Sequence, residues 1–201
     1  MKIFRYVFYF MLLSFLFTVF AYTRAGADDK LILLLEIIIT GAATLTYWLL
    51  TKKNSLRSIT PLRYLEWSIT TPLMLLVLCL VMNIFSVPLI LILIALDLLM
   101  LWFGYAGETN QIHRLTAMWG FVPLLLIFYL LYANASAVNF LFILYLVGWT
   151  GYGIVYYFDE RTKNTWMSVL DAVSKGLVAI LISKNAMFPA RDDLVKLKKI
   201  S

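Results

Sequence analysis

The sequence predicts an all-α membrane protein, a bundle of seven transmembrane helices. Of its 201 residues 63% are apolar and 14% charged, with a mean hydropathy of +0.88, whereas soluble domains are roughly half apolar. Stretches of about 20 apolar residues, the length that crosses a bilayer, recur at 3–22, 31–51, 62–82, 87–106, 113–133, 138–157 and 166–187. A helix satisfies its own backbone in lipid, and no alternating ~10-residue segments suggest a barrel. The 56 residues outside these spans are divided among six loops and two tails, so 1–201 reads as one domain with no room for a catalytic or nucleotide-binding lobe.

Lys2 and Arg5 ahead of the first span, with Ala25-Gly26-Ala27 behind it, imitate a cleaved secretory signal. The apolar run is longer than the ~7–15 residues of a signal core, so it is read as a retained span. The second span carries Glu36; the third carries Arg63, Glu66 and the lone Cys79, a packing residue. Loops 83–86 and 134–137 are short enough to force antiparallel neighbours. The fourth span holds Asp97, and His113 opens the fifth at an interface. The sixth is aromatic, with Trp149, Tyr152 and Tyr156; the seventh holds Asp171 and Lys175. The tail 188–201, with Lys196, Lys198 and Lys199, suits anionic lipid headgroups. The net charge of +6 is scattered, so nucleic acid is not an expected partner. Basic residues divide eight against seven between the two sides, which leaves the orientation open.

An ionisable group inside a membrane helix is costly unless paired, and marks function by default. Those within the spans include Glu36, Arg63, Glu66, Asp97, Asp171 and Lys175. Asp171 and Lys175 stand four apart, about 6 Å along one helix face. Arg63 and Glu66 share a face of the third helix. If the two pairs face each other, two cations meet two anions and the cluster is neutral. One reading is a structural lock between two helices. The other makes Lys175 a covalent attachment point, since a desolvated amine is suited to forming a Schiff base with an aldehyde.

The run Arg63-Tyr64-Leu65-Glu66-Trp67-Ser68-Ile69-Thr70-Thr71-Pro72 resembles the third-helix signature of microbial rhodopsins, and Asp171-Ala172-Val173-Ser174-Lys175 resembles their seventh-helix aspartate and retinal lysine. Asp97, Met100 and Gly104 in the fourth helix, and Trp149 with Tyr152 in the sixth, agree with the same family. The resemblance implies retinal in the core as a protonated Schiff base on Lys175, with an extracellular N-terminus and a cytoplasmic tail. Glu66 would then be counterion and proton acceptor, Asp171 the second counterion, Arg63 the outward gate, and Thr70 a hydrogen-bond partner of the acceptor. Trp67, Thr71, Met74, Met100, Gly104, Trp119, Trp149, Tyr152, Tyr156 and Ser174 would line the chromophore, and Thr71 with Asp97 would link the third and fourth helices. The family also implies membrane lipids, protons or cations, and a homo-oligomer, trimer or pentamer, as partners.

The acid at Glu66 argues against a chloride pump. The cytoplasmic donor position, eleven residues beyond Glu66, is Val77, which cannot return a proton. Glu36 is the candidate substitute, five residues into the second span and so roughly 8 Å deep, level with Val77. A structural role for Glu36 is the competing reading. Gly153 stands where the family's sixth-helix proline is usual. Asp159 and Glu160 are either a solvated loop, beside Arg161 and Lys163, or an outward release pair. The expected function is a light-driven outward proton pump. A light-gated cation channel and a light sensor with slow recovery are the alternatives. No metal or nucleophile constellation points to an enzyme.

Overall fold

The computed structural model describes residues 2–53, 59–113, 115–135 and 137–188; most of the basic tail 188–201 lies outside them. Seven helices are present among the described residues: α1 (Lys2–Arg24), α2 (Ala27–Thr51), α3 (Ile59–Val81), α4 (Val87–Glu108), α5 (Thr116–Asn134), α6 (Phe140–Val155) and α7 (Glu160–Met187). All but α6 are long and apolar enough to span a bilayer by themselves. α6 has 16 residues, about 24 Å at 1.5 Å per residue, and a further turn carries it to Phe158 through Tyr157 N→Ile154 O and Phe158 N→Val155 O bonds.

Each helix packs on the next, and α7 closes the ring against α1 and α2. Leu91, Leu125 and Tyr129, more than half exposed, belong to an outer apolar face suited to lipid, while the polar groups turn inward. Ser183 Oγ of α7 donates to Thr18 Oγ1 of α1 at 3.2 Å.

Helix ends follow local chemistry more closely than hydropathy. Asn83 and Asn110 adopt positive φ (58° and 60°) after α3 and α4. Ile84 N→Cys79 O and Gln111 N→Ala106 O bonds then close the helices as Schellman-type caps, in which asparagine tolerates the left-handed conformation. α2 begins at Ala27, with Asp28 and Asp29 in its first turn, so Glu36 lies nine residues in, about 13 Å, deeper than the expected five. α5 opens as a 3-10 turn, Thr116–Gly120, which turns Trp119 outward. α7 begins at Glu160 rather than 166, because Asp159 accepts from the backbone N–H groups of Arg161 and Thr162, both at 3.1 Å. The expected solvated loop of Asp159, Glu160, Arg161 and Lys163 is therefore a helix start, and Lys163 is buried. Within α7 a π-helical turn, Ala172–Leu177, carries Lys175; such turns are frequent at functional sites.

Hydrogen bonds from Thr162 and Arg161 hold the Asp159 carboxyl below its ordinary range. A group so lowered contributes stability above its unfolded value of about 3.9, and loses it as the pH falls through the folded value. Asp159→Ala is expected to lower the melting temperature at pH 7, with the deficit against the parent shrinking below pH ~4. A deficit unchanged by acid in thermal scans would contradict the cap.

Candidate functional site

α3 and α7 face each other across the centre of the bundle. The Lys175 amine, 1% exposed, donates to Glu66 Oε1 at 2.8 Å, Glu66 Oε2 at 3.0 Å and Asp171 Oδ1 at 2.8 Å. Both carboxylates are equally withdrawn from solvent, so the amine is satisfied by two buried anions.

The two carboxylates differ in their other partners. Asp171 also accepts from the Tyr47 hydroxyl (2.7 Å), Trp67 Nε1 (3.1 Å) and the Tyr152 hydroxyl (2.8 Å). Among the described residues Glu66 has one further donor, Thr70 Oγ1, at 3.1 Å. Arg63 does not join the ion pairs, contrary to the facing-pairs expectation. It donates to Asn164 Oδ1 at 3.0 Å, Met167 Sδ at 3.3 Å and Ser168 Oγ at 3.1 Å, and lies over the Trp67 ring. The reason is the longer α7: its early first turns bring Asn164 and Ser168, four apart on one face, up to the guanidinium.

Beside Lys175 lies a cavity lined mainly by apolar and aromatic side chains with a few polar groups, the character of small-molecule sites. Trp67, Thr71 and Met74 of α3, Met100 and Gly104 of α4, Trp149, Tyr152 and Tyr156 after them, and Ser174 and Lys175 of α7 all line it. Trp119 does not. Its side chain is 63% exposed, and Gly120, Phe121 and Leu124 form the α5 wall instead. Gly153 leaves the space that the Phe121 ring fills, since a Cβ there would collide with it. Asp97 stands behind the wall, 0% exposed, and Thr71 Oγ1 donates to its Oδ2 at 2.6 Å, tying α3 to α4.

Glu36 is 1% exposed and, among the described residues, neither of its carboxyl oxygens has a hydrogen-bond partner. The Tyr145 hydroxyl of α6, within electrostatic range of Glu36, also has none. Val77 is fully buried in the same half of the bundle.

Tyr47, Asn164, Ser168 and Tyr145 escaped the sequence reading. Asn164 fell outside the expected seventh span, and the hydroxyl-bearing residues carry no charge to mark them in a membrane helix. Glu108, beyond the expected end of the fourth span, escaped for the same reason as Asn164.

The cavity is mostly apolar, walled by aromatic rings, and one end meets a lysine amine held by carboxylates, so its lining fits a long apolar aldehyde such as retinal. The sequence profile described as "Bacteriorhodopsin-like protein" matches residues 2–187. Among solved structures, the viral rhodopsin OLPVRII superposes with a TM-score of 0.87 at 26% identity, covering 91% of this chain and 95% of its own. The thermophilic rhodopsin from Rubrobacter xylanophilus gives 0.79 at 26% identity, covering 92% and 96%. The blue light-absorbing proteorhodopsin from Med12 gives 0.79 at 24%, covering 92% and 95%, a likeness of fold. A comparison with curated protein sequences finds no match. A match over nearly the whole length, on a seven-helix bundle with a buried lysine, places this chain in the bacteriorhodopsin-like family of multi-pass membrane proteins, whose members bind retinal.

Proposed function

We propose that the protein is a light-driven outward proton pump with retinal bound to Lys175 Nζ. The observation that carries this reading is the placement of Lys175 Nζ, 2.8 Å from Glu66 and facing the apolar aromatic cavity. Lys175 would hold retinal through its amine, and the bound group would supply light absorption and isomerisation. The protein's own groups determine where the proton on Nζ goes. Three donors besides Lys175 hold the charge on Asp171, and charge-assisted hydrogen bonds are the strong ones. Among the described residues Glu66 has one, so Glu66 would be the readier of the two carboxylates to take up a proton and Asp171 the one to stay an anion. Trp67, Trp149 and Tyr152 confine the cavity and keep bulk water from this exchange.

With the N-terminal side outside the cell, Arg63 lies on the outward path and Glu36 in the cytoplasmic half. Val77 carries no proton, and Glu36 is a buried carboxyl in that half with both oxygens unpartnered. Glu36 is accordingly the reprotonating acid.

Membranes supplied with all-trans retinal should be coloured and should acidify the medium in light. Lys175→Ala should abolish the colour; Glu66→Gln should shift absorption to the red and stop acidification. Colour retained without Lys175, or acidification retained without Glu66, would refute the assignment. Glu36→Gln should slow recovery of the photocycle about 10²-fold, the low end of general-acid contributions, with azide restoring it. Tyr47→Phe, which removes one donor from a buried anion, should cost about 1.5–3 kcal/mol of stability by denaturant titration.

A further inference from the structure

Three tyrosines of the interior give their hydroxyls to carboxylates: Tyr47 and Tyr152 to Asp171 at 2.7 and 2.8 Å, and Tyr64 to Glu108 at 3.4 Å. Tyr145 of α6, 1% exposed, gives its hydroxyl to no partner among the described residues. Within electrostatic range of it lies the Glu36 carboxyl, whose two oxygens are also without a donor. Thr40, one turn further along α2, does not serve it, because its hydroxyl is spent on the Glu36 main-chain oxygen at 2.6 Å. An unpaired buried polar group is costly, and two of them close together call for a reason.

The ring of Tyr145 is held firmly. It stacks on Trp149, one turn along α6, with centroids 6.0 Å apart and planes 22° from parallel. Trp149 lines the cavity, and Phe128 of α5 meets it edge-on at 5.9 Å. Leu35 and Ile39 of α2, which flank Glu36, belong to the same apolar cluster as Tyr145. The ring thus fills space, and the hydroxyl is the part that packing does not explain. A neutral carboxyl is tolerable in such surroundings, whereas a carboxylate without a donor is not. A phenol can accept from a carboxylic acid or donate to a carboxylate, and the bond to the anion is the stronger.

We infer that Tyr145 is the positioning residue that lets Glu36 give up its proton, by donating its hydroxyl to the carboxylate that forms. The inference rests on the pump reading, with Glu36 as the reprotonating acid. The O–H bond breaks at Glu36 and the proton passes to Lys175 Nζ. Tyr145 keeps its own proton and shares it with Glu36 as a hydrogen bond. Uptake of a proton from the cytoplasmic side re-forms the O–H bond at Glu36 and releases the phenol.

The test is a single flash on the retinal-loaded protein, followed by visible absorbance and time-resolved infrared detection. In the parent, the protonated-carboxyl band of Glu36 should fall as the Lys175 nitrogen regains its proton. Tyr145→Phe keeps the ring and its stack, so the colour and the rate of Glu66 protonation should stay as in the parent. The fall of the Glu36 band and the recovery should slow together by about tenfold, the effect of losing one hydrogen bond to a charge, and azide should restore the recovery. In a Glu36→Gln background Tyr145→Phe should add no further slowing. Recovery at the parent's rate in Tyr145→Phe, or equal slowing in both backgrounds, overturns the inference while leaving the pump standing. Recovery undisturbed by Glu36→Gln overturns the assignment of Glu36 and this inference with it. A parent that exports no proton overturns the pump reading as well.

Discussion

One amine between two carboxylates sets the terms for the rest of the bundle. Lys175 would be intolerable in the interior unpaired, so α3 and α7 must face each other in the one register that brings Glu66 and Asp171 to it. That register draws Tyr47 from α2, Trp67 from α3 and Tyr152 from α6 onto Asp171. The π-helical turn at Ala172–Leu177 lies where α7 presents the lysine. Packing and chemistry are thus one problem: the groups that fix the helices are those that make the two carboxylates unequal.

The two halves of the bundle are built differently around this centre. Toward the N-terminal side, charged groups are plentiful and partnered: Arg63 with Asn164 and Ser168, Lys163 with Glu108 and Glu160. The other half is filled by Val77, Leu78, Leu93, Ile127 and Leu131, with Glu36 and Tyr145 as its unpartnered polar groups among the described residues.

Much of this was legible because charge in a membrane helix is rare. Glu66, Asp171, Lys175 and Asp97 stood out against apolar neighbours, and helical spacing put Asp171 on the face of Lys175. The aromatic wall was legible through its motifs, apart from Trp119. Its failure, like those of Asn164 and Glu108, came from helix ends: a 3-10 turn rotated Trp119 to the outside, and an Asp159 cap began α7 among polar residues that hydropathy assigns to a loop. Tyr47 and Tyr145 were hidden for another reason. A hydroxyl in an apolar helix is inexpensive enough to need no explanation until its partner, or its lack of one, is seen.

The central claim is that Lys175 gives its proton to Glu66 for one-way export, and current recording under voltage clamp in light tests it most directly. The account predicts an outward current that keeps its sign at every holding potential and vanishes in Glu66→Gln. A current that reverses at an ion's equilibrium potential would mean a channel, and would contradict it.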